Sequence, residues 1–88
     1  MNERYTTNRK EQTMDPNETR AYLYENAALD VLAQCEGKTG KQLVRGGWEF
    51  WLSAALVHKR YLTTETRERL VKQLDLADNY RYPVRILR

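Results

Sequence analysis

Residues 47–62 read GWEFWLSAALVHKRYL and form the most apolar stretch of this 88-residue chain. On a helical wheel with about 100° per residue, the apolar side chains of this stretch fill an arc of roughly 220°. Glu49, Ser53 and Arg60 share the remaining side of the wheel. Because a helix this apolar must be covered by other helices, we predict that it is the buried centre of a small helical domain.

The largest apolar side chains of this stretch belong to Trp48, Phe50 and Trp51. The wide apolar arc predicts that all three lie in the core. Two alternatives remain for these rings, an exposed docking surface and a platform on which nucleic-acid bases stack. His58, the one histidine, falls in the same arc without the neighbours that a metal site or acid–base catalysis needs. We therefore interpret His58 as a packed or half-buried side chain.

A helix-start signal, DPNE, occupies residues 15–18. An N-cap acceptor is followed by a proline at the first helical position and a carboxylate at the third. We predict a helix from Pro16 to about Glu36, ended by Gly37 in the left-handed conformation. The residues predicted to form its packing face are Ala21, Tyr24, Ala28, Val31, Leu32 and Cys35.

Residues 37–41, GKTGK, are predicted to form a turn rather than a phosphate-binding loop, because the spacing GxxxxGK[ST] and a preceding strand are both missing. Thr39 and Gln42 have the spacing of a capping box, which predicts that another helix begins here. The pair Gly46 and Gly47 predicts a kink, or a short helix followed by a longer one. We also expect this glycine pair to let another backbone approach closely.

Thr63, followed by Glu65 in the first turn, gives a second start signal, which predicts a helix to about Asp75. The predicted contact stripe of this helix consists of Leu70, Val71, Leu74 and Ala77. A tight turn joins the two helices as in a helix-turn-helix. However, the charges of the last helix balance, which is unlike a recognition helix.

Both ends of the chain lack a helical pattern. Residues 1–14 mix charges with Thr and Asn, and we predict that they form a flexible arm. Residues 79–88 alternate apolar and cationic side chains like a strand, which predicts an extended basic tail. Such a tail fits three arrangements, namely pairing with a sheet of another molecule, pairing with its own copy, or lying across the helices. The predicted fold class is therefore all-α, a compact three-helix domain over residues 15–78 with an arm and a tail.

Composition and charge restrict the class of protein. Hydrophobic residues make up 41% and charged residues 31% of the chain, which excludes a wholly disordered protein. The longest apolar run is far shorter than the ~20 residues that span a bilayer, and the N-terminus lacks the apolar segment of a secretory signal. Together with the single cysteine, Cys35, these features predict a cytoplasmic protein with no internal disulfide and no cysteine-based metal site. Because the first half is acidic and the second basic, we expect part of the net charge of +3 to be neutralised within the domain.

No catalytic motif, cofactor loop or metal-ligand set is visible, so we predict a protein that is not an enzyme, uses no cofactor and takes no small-molecule substrate. The leading hypothesis is a small regulatory, inhibitory or adaptor protein that docks on another protein through its tail. The predicted partner-binding residues are Tyr80, Arg81, Tyr82, Arg85 and Arg88. Small accessory proteins of mobile genetic elements often have this size and this lack of catalytic motifs, which is an analogy only.

The alternative hypothesis is a nucleic-acid-binding regulator with a basic, phosphate-facing patch. The residues predicted for that patch are Lys38, Lys41, Arg45, Lys59 and Arg60. The modest net charge and the acidic first helix favour a protein partner over nucleic acid. A homodimer is compatible with both hypotheses.

Overall fold

The computed structural model describes residues 15–83, and it confirms the all-α class. Its four α-helices are α1 (Pro16–Cys35), α2 (Gly40–Arg45), α3 (Trp48–Val57) and α4 (Thr64–Arg81), and a single 3-10 turn (Lys59–Tyr61) joins α3 to α4. The predicted arm, residues 1–14, and the end of the predicted tail, residues 84–88, lie outside the described residues.

The start and end of α1 agree with the sequence-based prediction. The side chain of Asp15 accepts a hydrogen bond from the Asn17 N–H at 3.2 Å, and Pro16 occupies the first helical position. The helix ends at Cys35, two residues before Gly37, whose φ of 96° lies in the left-handed region. These signals act within a few residues, so they could be read from the sequence.

The junction between α2 and α3 is also as predicted. Thr39 and Gln42 form the reciprocal capping box, with the Gln42 N–H donating to Thr39 Oγ1 at 3.2 Å and the Thr39 N–H donating to Gln42 Oε1 at 2.9 Å. The helical path is then interrupted at Gly47, which has a φ of 76°. The result is a short helix followed by a longer one.

The core lies between α4 and the three helices that it contacts. Its buried apolar residues are Ala28, Leu32, Cys35, Leu43, Leu52, Leu62, Leu70 and Ala77. The packing face predicted for α1 is confirmed, because its three fully buried residues belong to that face. Cys35 is fully buried, as expected for a packed thiol, and burial raises its pKa with a smaller contribution from the neighbouring Glu36 carboxylate.

The close backbone approach occurs at Gly40 rather than at the glycine pair that we expected to provide it. A Cβ atom added to Gly40 would collide with the carbonyl oxygen of Leu76 on α4, whereas one added to Gly47 would meet open space. Gly47 serves the turn instead, by adopting a left-handed φ. The first residue of α2 is thus where this helix and α4 come closest.

The prediction for the last helix needs correction at two points. It continues to Arg81, well past Asp75, so Tyr80 and Arg81 are helical rather than extended. Val71 is 44% exposed, although it was predicted to pack. The four buried residues of α4 are Thr66, Leu70, Gln73 and Ala77. Alternating Tyr and Arg residues do not exclude a helix. The ion pair between Arg81 and Glu49 on α3 holds the last turn of α4 in place.

The prediction that the apolar stretch forms a buried centre is wrong for the outer side of α3. Leu52 is the one buried residue in this helix, and Trp48 is partly buried against the core. Phe50 is 68% and Trp51 54% exposed. Since α1, α2 and α4 are the helices with which α3 makes its main contacts, they cover its inner side and leave the outer side open.

Candidate functional site

The outer side of α3 carries a row of apolar side chains, of which Phe50, Trp51 and Val57 are exposed while Ala54 is half-buried. Phe50, Ala54 and Val57 are spaced four and three positions apart, which places them along one side of the helix. Val57 is 74% exposed, and the rings of Phe50 and Trp51 meet edge to face at 5.2 Å between centroids. We call these four residues, Phe50, Trp51, Ala54 and Val57, the aromatic ridge.

A groove runs beside the aromatic ridge, between α1 and α3. Its volume is about 250 Å³. The residues that line it are Tyr24, Ala27, Val31, Trp51, Ala54, Ala55 and His58. Three of these are alanines, and their small side chains leave room between the two helices. We refer to the ridge and the groove together as the aromatic face.

One end of the groove is closed by stacked rings. Tyr24 lies parallel to His58, with 3.9 Å between ring centroids and 8° between ring planes, and it also contacts Tyr61 at 5.4 Å. His58 is half-buried, as the sequence predicted. Because Tyr24 meets His58 here while Val31 and Trp51 also line the groove, α1 and α3 run in opposite directions.

The same end of the groove is cationic. Arg60 Nη2 donates a hydrogen bond to Tyr61 Oη at 2.9 Å. This bond, with further help from Arg20, lowers the pKa of the Tyr61 hydroxyl. Lys59 is exposed beside them. A molecule seated in the groove would therefore meet positive charge at this end.

The beginning of α4 is fixed to α1 by a single carboxylate. Glu25 Oε2 accepts a hydrogen bond from Thr66 Oγ1 at 2.6 Å and another from Thr63 Oγ1 at 3.3 Å, while Oε1 accepts from the Thr63 N–H at 3.1 Å. Burial alone would raise the pKa of Glu25, but these hydrogen bonds and the charge of Arg69 outweigh it and lower the pKa. Glu25 thus holds α1, one wall of the groove, in place.

Two ion pairs join α4 to the other helices. Arg81 donates to both carboxylate oxygens of Glu49 on α3, with distances between 2.8 and 3.0 Å. Arg69 binds Glu36, at the end of α1, through two hydrogen bonds of 2.6 and 2.9 Å. In each pair the arginine lowers the pKa of the carboxylate. Part of the positive charge is therefore neutralised within the fold, as the charge distribution predicted.

Three of the five residues predicted to bind a partner, Tyr80, Arg81 and Tyr82, lie within the described part of the chain. Arg81 is engaged with Glu49, whereas Tyr80 is 43% and Tyr82 57% exposed. Arg85 and Arg88 lie outside the described residues. A role for these five side chains in partner binding stays a prediction, although Arg81 also has a structural task.

The residues predicted to face phosphates lie in two groups. Lys41 and Arg45 lie on α2 and Lys38 lies just before it, whereas Lys59 and Arg60 follow the end of α3. The ten-residue α3 separates the two groups, which corresponds to about 15 Å along its axis. A phosphate-facing role for these five cations stays a prediction.

Residues 15–83 contain neither a metal-binding cluster nor a membrane-spanning helix. No three His, Cys, Asp or Glu side chains in this range are grouped so that they could hold a metal ion. Over the same residues, no helix combines the length and apolar character needed to cross a membrane.

Sequence reasoning missed the aromatic face because it assigned Phe50 and Trp51 to the core. The available signal was the width of the apolar arc, roughly 220°, which exceeds the ≳100° stripe that a helix on the surface of a domain usually buries. With so few neighbouring helices, part of that arc had to remain uncovered. The sequence did not show which part.

Fold and site together define a small all-helical domain with an exposed aromatic face. Comparison of the chain with protein-family models, with curated proteins and with solved structures finds no match. The functional argument therefore depends on the geometry of the described residues.

Proposed function

We propose that this protein acts by docking on another protein molecule, and that the aromatic face is the surface it uses. The observation that carries the proposal is the exposure of Phe50, Trp51 and Val57 on the most apolar helix of the chain. Exposed apolar patches larger than a few hundred Å² mark interaction sites in soluble proteins. A regulatory, inhibitory or adaptor role in the cytoplasm fits such a protein.

The composition of the face supports a protein partner. Trp and Tyr are among the residue types that dominate binding energy at protein interfaces, where they fill desolvated pockets near the centre. Trp51 belongs to the ridge and also lines the groove, and Tyr24 forms part of the groove wall. A helix of the partner, with apolar side chains every three or four residues, would fit the groove between α1 and α3.

Nucleic-acid binding is the alternative, and one observation favours it. The exposed rings of Phe50 and Trp51 could stack with bases, and Lys59 and Arg60 lie near the end of the same helix. Against it stand the modest net charge of +3 and the acidic character of α1. Single-stranded nucleic acid usually follows a continuous basic groove.

The proposal is tested by affinity capture from the native cell, with both proteins and nucleic acids identified. We expect Trp51→Ala to reduce capture of the protein partner by about tenfold or more, because it removes a ring at the centre of the face. The matched control is Tyr22→Ala. Tyr22 is 63% exposed and lies two positions from Tyr24, so it points about 160° away from the groove.

Three results would contradict the proposal. Equal losses in the two variants would show that the aromatic face is not the docking surface. Loss of capture on deleting residues 80–88, without any effect of Trp51→Ala, would return the site to the predicted tail. Binding to random-sequence DNA that weakens steeply between low and moderate salt, and that depends on Lys59 and Arg60, would establish the nucleic-acid alternative.

A further inference from the structure

We propose that the molecule seated on the aromatic face is a second copy of this chain, in a two-fold antiparallel arrangement of the two α3 helices. This inference builds on the proposed function, because it requires the aromatic face to be an interface. It adds the identity of the partner and the geometry of the contact.

The first argument is the area that the face can bury. Phe50 is 68%, Trp51 54% and Val57 74% exposed, and Leu23 on the adjoining side of α1 is 57% exposed. With about 150–250 Å² for each aromatic side chain, this apolar area is on the order of 500 Å² per copy. Two copies and their polar rims would bury roughly 1,200 Å² or more in total, which is the size of a specific interface.

The second argument is the shape of the face. In a two-fold interface the same surface meets itself, so each copy must offer both a projection and a place to receive it. The large side chains of Phe50, Trp51 and Val57 project beside the groove, which is lined by the small side chains of Ala27, Ala54 and Ala55. Ala54 lies midway along the ridge, where a small side chain allows two helices to approach closely. If the helices cross there, Phe50 of each copy lies against Val57 of the other.

The third argument is charge. The groove is cationic at the end that carries Arg20, Lys59 and Arg60. Asp30, on α1 next to Val31 at the opposite end, is exposed and forms no ion pair within residues 15–83. An antiparallel arrangement places the cationic end of one copy beside the Asp30 end of its partner, at both ends of the interface.

The oligomeric state in solution tests this inference directly. Sedimentation velocity of the full chain, from about 1 to about 500 µM, should show a mass that rises from that of one chain, 10.5 kDa, toward that of two. Trp51→Ala should raise the dissociation constant by about tenfold or more, whereas Tyr22→Ala should change it by less than about twofold. Circular dichroism and urea unfolding of both variants would show that each remains folded.

Cysteine cross-linking tests the geometry. Two cysteines form a disulfide when their Cα atoms lie within roughly 7 Å, so Ala54→Cys should cross-link two copies in a mild redox buffer. Ala33→Cys is the matched control, because Ala33 is exposed on the side of α1 that faces away from the groove. Cys35 is fully buried and should not react in either variant. Equal cross-linking of both variants would overturn the proposed crossing at Ala54.

Other occupants of the face give different results. A chain that remains monomeric at about 500 µM, yet captures a cellular protein in a Trp51-dependent way, would overturn the dimer and leave the proposed function intact. If the full chain is monomeric and dimerises only after residues 84–88 are deleted, the chain's own tail occupies the face, and this result would also overturn the dimer. A monomer with no Trp51-dependent capture would overturn both proposals.

Discussion

α3 and α4 differ in composition and in burial, and the more apolar of the two helices buries the smaller share of its residues. α3 is mostly apolar and buries only Leu52 of its ten residues. α4 is mostly polar, yet it buries four of its 18 residues, two of them polar. Both helices contact the other three, but these contacts cover only the inner side of α3 and leave Phe50, Trp51 and Val57 on its outer side exposed. The apolar content of a helix thus limits how much of its surface can be buried. The positions of the neighbouring helices decide which of its side chains are buried.

The largest expected effect is a difference in stability between a variant of α4 and a variant of α3. Leu70→Ala on α4 should lower the free energy of unfolding by about 2–5 kcal/mol, because it leaves a cavity in a fully buried site. Trp51→Ala on α3 should cost about 1 kcal/mol or less in a monomeric sample, although it deletes a much larger side chain. Urea unfolding at low protein concentration measures both. A larger cost for Trp51 would mean that its ring is core, as the sequence predicted.

An intermediate effect is expected where α2 meets α4. Alanine usually stabilises a helix relative to glycine by up to about 1 kcal/mol. Gly40→Ala should instead destabilise the protein by roughly 1–3 kcal/mol, because the new methyl group would collide with the Leu76 carbonyl oxygen. Lys41→Ala, one residue further along the exposed side of α2, is the control and should change stability by no more than about 0.5 kcal/mol. A stabilising Gly40→Ala would show that α2 and α4 are further apart.

The smallest expected effect concerns the start of α4 and depends on pH. Hydrogen bonds from Thr63 and Thr66 lower the pKa of Glu25 in the folded protein below its ordinary value of 4.5. The unfolded chain therefore binds more protons in the range just below pH 4.5, so this contribution to stability is present above that pH. It is lost as the pH falls through the lower, folded-state pKa.

Glu25→Gln should reduce the free energy of unfolding by about 0.5–1.5 kcal/mol at pH 7, and the difference from the unmodified protein should disappear in acid. Asp30→Asn, on the exposed side of the same helix, is the control and should stay within about 0.5 kcal/mol in a monomeric sample. The measurement is urea unfolding at several pH values. A difference that grows as the pH falls would contradict a lowered pKa for Glu25.

How much of the site could be predicted depends on the range of the interactions involved. The half-buried state of His58 was predicted correctly. The exposure of Phe50 and Trp51 was not, because their placement depends on α1 and α4, which are distant in sequence. The same holds for Arg81, which was read as part of a free tail and is bound to Glu49, 32 positions away. No local pattern could have identified that partner.

The sequence by itself determined where α1, α2 and α4 begin. Asp15, Thr39 and Thr63 each cap a helix through a hydrogen bond that spans two or three residues, so the all-α class followed from local chemistry. Only the tertiary structure decided which side of α3 is covered and that Gly40 touches α4. Those outcomes depend on how the four helices pack around one small core. An 88-residue chain buries only a modest fraction of its surface, so it cannot enclose every apolar side chain that it carries.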